Sequence, residues 1–154
     1  MNEFGNDFNA DGRSDLLWQS TSSGAVSLWV MDGANFWPTG WLGGSGNPDW
    51  HGVSGRGDFN GDGKSDIVWQ NTTTGAVSLW FMDGTNFSQT GLLGGNGNPD
   101  WHVAGTGDFN GDGKSDLVWQ STGGGVSLWF MEGTNSFQTG LLGGNGNPDW
   151  HVIA

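Results

Sequence analysis

An all-β chain built from three four-stranded β-propeller blades is the fold the sequence predicts. Three observations carry it: the text repeats every 50 or so residues, short β-prone runs alternate with Gly-, Asn- and Asp-rich turns, and no stretch has a helical apolar period. The unit is headed by Asp7-Phe8-Asn9, Asp58-Phe59-Asn60 and Asp108-Phe109-Asn110. Later landmarks keep step: Trp18, Trp69 and Trp119, then Trp29, Trp80 and Trp129, then Asn-Pro-Asp-Trp-His strings ending at His51, His102 and His151. Residues 75–103 and 124–152 differ only at Ala76/Gly125, Asp83/Glu132, Phe87/Ser136 and Ser88/Phe137, as recent duplication or design would leave them.

The middle unit shows the element order. Residues 65–70 (SDIVWQ) are a first β-prone run, 71–75 (NTTTG) a turn, and 76–82 (AVSLWFM) a second strand ended by Asp83-Gly84. A third strand is expected over 87–93, a Gly/Asn/Pro loop over 94–99, and a further strand over 101–105 before the next acidic loop. Four short strands in about 50 residues suit a propeller blade, with a solenoid or a sandwich as structural rivals. The blades are placed at 1–50, 51–100 and 101–149, and residues 150–154 form a closing strand. The first strand of blade one is expected to be incomplete, and Trp150-His151-Val152-Ile153-Ala154 has the text of the missing strand. Three blades are too few for a ring of about 4 to 8. The expected closure is therefore between chains: a homodimer of six blades, with a trimer of nine as the alternative. An excised part of a larger propeller is the other reading, and its bare edges would promote aggregation.

Composition narrows the function. The 154 residues include 31 Gly, 11 Trp, 9 Phe and no Cys, and 16 acids against 4 bases give a formal charge of −12. So acidic a chain repels phosphate backbones and anionic lipid, which makes nucleic acid and membrane surfaces poor partners and cations good ones. No apolar run approaches the roughly 18 residues of a membrane helix, and the first residues do not resemble a signal-peptide core. Without Cys there are no disulfides, thiolate metal sites or cysteine nucleophiles.

The acidic string D-x-N-x-D-G-x-x-D recurs three times, at 7–15, 58–66 and 108–116. Oxygen groups at alternate positions of a tight loop converge on one point, the Gly at position six permits the bend, and position seven offers a main-chain carbonyl, all suited to hard Ca²⁺. The expected side-chain donors are Asp7, Asn9, Asp11 and Asp15; Asp58, Asn60, Asp62 and Asp66; and Asp108, Asn110, Asp112 and Asp116. Arg13, Lys64 and Lys114 would supply main-chain oxygen only. Three Ca²⁺ per chain would relieve the mutual repulsion of nine carboxylates and take the formal charge from −12 to about −6. Mg²⁺ fits less well because it dehydrates reluctantly and wants strict octahedral geometry. An EF-hand or dockerin is excluded because position twelve is Trp18, Trp69 or Trp119 and strand text follows. A phosphate loop at Gly63-Lys64-Ser65 is excluded because Asp58 stands where a Gly is required. The bland rival is an Asn/Gly turn that binds nothing.

Tandem D-x-[DN]-x-D-G-x-x-D loops, each followed by an apolar strand, resemble the FG-GAP/VCBS repeats of integrin-α-like β-propellers, and the resemblance spans all three units. It implies a propeller holding Ca²⁺ between neighbouring strands of each blade, in extracellular adhesion proteins, lectins and bacterial surface or secreted proteins. Full propellers of that family have seven blades, against three here.

Asp49-Trp50-His51, Asp100-Trp101-His102 and Asp149-Trp150-His151 offer an acid–base pair or an aromatic sugar platform. Their triplication favours blade packing over catalysis, which needs one asymmetric constellation, and no nucleophile has a G-x-S-x-G setting. The chain is therefore expected not to be an enzyme. Most Trp are expected to pack between blades. Copy one adds Trp37, Pro38 and Trp41 in its outer-strand region, a candidate interface or ligand patch whose rival explanation is drift. Asn71-Thr72-Thr73 and Asn86-Phe87-Ser88 match the short N-glycosylation triplet, a weak signal. The expected function is a Ca²⁺-stabilised, self-assembling binding or scaffold module, with a multivalent glycan-binding lectin as the alternative.

Overall fold

The computed structural model describes residues 6–44, 46–95, 97–144 and 146–153. Among them are eleven strands and no helix, so no helix is long and apolar enough to cross a membrane. They are β1 (Leu16–Gln19), β2 (Val26–Asp32), β3 (Asn35–Gly43), β4 (Trp50–Gly57), β5 (Asp66–Asn71), β6 (Val77–Asp83), β7 (Asn86–Gln89), β8 (Trp101–Gly107), β9 (Asp116–Ser121), β10 (Gly125–Glu132) and β11 (Asn135–Gly144). They form three antiparallel meanders, β1-β2-β3, β4-β5-β6-β7 and β8-β9-β10-β11. The incomplete first strand expected in blade one falls on residues 1–5, which lie outside the described residues.

Local chemistry sets these boundaries. The first hairpin of the middle sheet is closed by Asn71 N–H to Ala76 O and Gly75 N–H to Asn71 O, both 2.8 Å, with Gly75 at φ 72°. Only Gly takes such a backbone without cost. Asn71 Oδ1 accepts from Thr73 and Thr74 N–H, which satisfies the turn's own donors. The next hairpin pairs Asp83 with Asn86 across a two-residue loop whose first member, Gly84, has φ 62°.

The third strand differs from the expected 87–93. In the middle sheet it covers Asn86–Gln89; beyond it the Thr90 hydroxyl accepts from Leu79 N–H at 2.9 Å, Thr90 N–H donates to Leu79 O at 2.9 Å, and an isolated bridge joins Val77 to Gly94. In β3 and β11 the strand continues past the same interruption, where Thr39 and Thr139 accept from Leu28 and Leu128 N–H. The strand expected over 101–105 reaches Gly107, because pairing runs on to Asp116. Residues 150–153, expected as a closing strand, form no ladder in the single chain.

The sheets pack face to face, and period-two alternation decides which side chain faces which neighbour. Ile67, Trp69, Trp80 and Met82 of the middle sheet meet Phe8, Val26 and Leu28 of the first. Phe59, Val68, Val77 and Leu79 on its other face meet Val103, Leu117, Trp119, Trp129 and Met131 of the third. With both faces covered, β5 is buried at all its positions. Each fully buried Leu, Ile or Val here contributes about 1.5–3 kcal/mol. Phe87 stacks on Trp80 with ring centroids 4.0 Å apart, and Phe36 stacks on Trp29 at 4.3 Å. In the third sheet Ser136 occupies that position, and the phenyl of Phe137 belongs to the opposite face, paired with Phe130.

Each junction is also pinned by main-chain bonds. Ser65 N–H donates to Asp7 O and Ser115 N–H to Asp58 O, both at 2.8 Å. Gly84 N–H donates to Phe8 O at 2.8 Å and Gly133 N–H to Phe59 O at 3.2 Å. The loop heading one repeat is thus hydrogen-bonded to the repeat that follows.

Candidate functional site

The acidic loops sit at these junctions. In the second loop Asp58 Oδ1 accepts from Gly61 N–H at 2.6 Å and Asp62 N–H at 3.2 Å, and Oδ2 accepts from Gly63 N–H at 2.8 Å. Asn60 Oδ1 accepts from Asp62 N–H, and Asp62 Oδ1 from Lys64 N–H, each at 2.9 Å. The third loop repeats this through Asp108, Asn110, Asp112 and Lys114. The first does so through Asp7, Asn9, Asp11 and Arg13. These nested bonds are why Asp or Asn must stand at alternate positions: each side chain caps N–H groups two to five residues on. They also hold the exposed Asp108 carboxyl below the usual carboxylate range, the Gly113 N–H foremost.

The last carboxylate of each loop points inward. Asp66 accepts from Phe59 N–H at 2.8 Å and Met82 N–H at 2.9 Å, tying loop, β5 and β6 together. Asp15 does the same with Phe8 and Met31, and Asp116 with Phe109 and Met131. All three are buried. Burial pushes Asp66 up to about 7, with the charges of Asp58 and Asp62 adding to it against the two N–H bonds. Asp15 is raised for the same leading reason.

Among the described residues no three carboxylate or imidazole groups converge as a metal site. The donor chemistry nevertheless suits a hard divalent cation: three carboxylates and an amide oxygen within nine residues, one of the carboxylates raised first by its burial and then by the charges of the other two. The cationic side chains form ion pairs of their own. Arg13 Nε lies 3.3 Å from Asp32 and Lys64 Nζ 3.4 Å from Asp83, each bridging a loop to the end of a strand. Such exposed pairs add little stability.

The Asn-Pro-Asp-Trp strings are turns. Asn47, Asn98 and Asn147 each accept the N–H of Asp49, Asp100 or Asp149 at 2.9 Å, and Trp50, Trp101 and Trp150 close the turn back to the Asn carbonyl. Asp49 and Asp100 offer main-chain oxygen to Thr72 and Thr122 N–H. His51 and His102 lie on β4 and β8 opposite Gln70 and Gln120, and His151 follows in the tail. The Gln after each strand Trp has a role outside the motifs described above. Gln19 Nε2 donates to Trp50 O and its Oε1 accepts from Gly52 N–H; Gln70 serves Trp101 and Val103 likewise, and Gln120 serves Trp150 and Val152. Its recurrence one position after Trp18, Trp69 and Trp119 was the signal available.

Of the candidate ligand residues, Trp50 lines a pocket of about 320 Å³ between the first two sheets, with Gly24, Trp69, Trp80, Ser78 and Thr90. Trp41 borders a shallower groove on the first sheet beside Trp18 and Gln19. Trp37 lies exposed on β3. The remaining candidates, Asp49, His51, Asp100, Trp101, His102, Asp149, Trp150 and His151, line neither.

With this geometry in hand, comparison with known families is specific for the middle of the chain. Residues 58–119 match the FG-GAP-like repeat. The match begins at the second acidic loop, passes through β5 to β8, and ends at Trp119 on β9, so the FG-GAP-like unit includes one complete junction between sheets. No curated protein and no solved structure matches the chain.

Proposed function

We propose that this chain is a calcium-stabilised, non-catalytic binding or scaffold module of propeller type, working outside the cell. The observation that carries the reading is the position of the acidic loops. Asp7 and Asp58 reach the following sheet through their own carbonyls, so a cation held by the carboxylates at 7, 11 and 15 or at 58, 62 and 66 would stiffen a sheet junction. Asn9, Asn60 and Asn110 and the main-chain oxygens of Arg13, Lys64 and Lys114 would complete the shells, with affinity of about 10⁻⁶ to 10⁻³ M. Threefold recurrence is what a structural ion requires and a catalytic centre does not.

The test is thermal unfolding in calcium and in chelator, for the native chain and for Asp62→Ala with Asp112→Ala. Calcium is expected to raise the melting temperature of the native chain. The double variant is expected to melt lower in calcium and to respond less to chelator. Identical curves would remove the calcium reading.

The pocket lined by Trp50, Trp69 and Trp80 favours a second reading, a lectin, since a concave site lined by indoles suits a sugar ring. Glycan-array binding that free sugar competes away, and that Trp50→Ala weakens, would support it; a blank array would return the chain to a scaffold.

A further inference from the structure

Both junctions between sheets use one set of positions, and the two outer faces of the chain present the halves of a third set. At the second junction Phe59, Val68, Val77 and Leu79 meet Leu117, Trp119, Trp129 and Met131. The counterparts of the first four, one repeat on, are Phe109, Val118, Val126 and Leu128 on the outer face of the third sheet; those of the last four, two repeats back, are Leu16, Trp18, Trp29 and Met31 on the first. Exposure shows that these faces want covering. Trp18 is 49% exposed, whereas Trp69 and Trp119 are 4% and 0%. Phe109 is 47% exposed, whereas Phe8 and Phe59 are 0%. The switched phenyl of Phe137, 60% exposed, belongs to this same outer face beside Phe130. Beyond it, Gln120 already holds Trp150 and Val152 by bonds of 2.6 and 3.0 Å, as Gln70 holds β8.

We propose that the outer face of the third sheet docks the first sheet of a second copy, with residues 150–153 laid beside β1 of that copy. The register follows from β8 on β9, where Trp101 pairs with Ser121 and His102 with Gln120. Trp150 therefore faces Ser20 of the second copy and His151 faces Gln19. Ser14 N–H donates to Asp108 O of the other copy, and Gly33 N–H to Phe109 O, as Ser115 and Gly133 do within the chain. The inference rests on the propeller-type reading for the number of copies, and on the two junctions for the contact itself.

The chain has no Cys, so a Ser20→Cys/Trp150→Cys pair reports the register directly. Mild oxidation in calcium buffer is expected to give a covalent species of at least twice the 16.3 kDa chain mass on a non-reducing gel, while an offset Leu16→Cys/Trp150→Cys pair gives none. Because Phe109 is exposed in the single chain, Phe109→Asp is expected to keep the β-sheet circular dichroism yet reduce the light-scattering mass of the assembly to that of one chain. A native chain that stays monomeric at 50 or more times micromolar concentration in calcium overturns the proposal, as does equal cross-linking of the offset pair. Calcium-dependent melting, followed in parallel on the Phe109→Asp monomer, separates this failure from failure of the calcium reading: a monomer that still responds keeps the module and loses only the docking.

Discussion

Gln70 holds the main chain of Trp101 across a sheet junction: Nε2 donates to Trp101 O at 3.0 Å while Oε1 accepts from Val103 N–H at 3.0 Å. The amide is buried and both of its ends are used, so one side chain substitutes for two ladder bonds between sheets that share no strand pairing.

Gln70→Ala leaves the buried Val103 N–H without an acceptor, which costs about 1–3 kcal/mol. For a chain of this size the melting temperature is expected to fall by roughly 2–4 °C per kcal/mol. Gln70→Glu keeps the acceptor for Val103 but buries a carboxylate against the Trp101 carbonyl, and is expected to be the least stable of the three at neutral pH. Differential scanning calorimetry orders the three.

Ala10 stands at φ 59° in the first acidic loop, where the other two loops carry Gly61 at 79° and Gly111 at 81°. A β-carbon in the left-handed region costs about 1–2 kcal/mol, which Gly avoids at some entropic cost of its own. Ala10→Gly is therefore expected to stabilise the chain by about 0.5–1 kcal/mol, read as a higher denaturant midpoint with an unchanged slope.

His102 is held below its ordinary value of 6.5, first by desolvation of its ring and then by the charge of His151. The folded chain then binds fewer protons than the unfolded chain as pH falls below about 6.5, so stability decreases on acidification through that window. His151→Gln removes the charge and leaves the desolvation. The His102 titration, followed by NMR, is expected to move part of the way back up.

What sequence could show here was set by distance along the chain. The strands, their turns and the alternation that buries Trp69 and Trp80 depend on neighbours within about ten residues, and so were legible. The spacing of Asp58, Asn60 and Asp62 was legible for the same reason, since each side chain caps an N–H two to five residues on. Asp66 carries the same spacing, but its inward turn depends on Met82 N–H, 16 residues away on another strand. Gln70 finds its partners 31 and 33 residues on, and no local pattern announces them. The Thr90 hydroxyl caps Leu79 N–H, eleven residues back on the neighbouring strand, although its text is as β-prone as its neighbours. The exposure of Trp18 was hidden because its surrounding text has the same apolar and polar pattern as that of the buried Trp69, and its place in the sheet order separates them.

Burial of β5 on both faces sets the order in which backbone amides meet solvent. Nearest-neighbour stabilisation in a linear array leaves outer units with one coupling and an inner unit with two, so outer units fray first. In the single chain deuterium uptake is accordingly expected to be slowest in β5 and β6 and faster in β1, whose burial alternates along the strand. On that order the middle sheet would be the kinetic lock of the single chain, and the two outer sheets its reversible flaps.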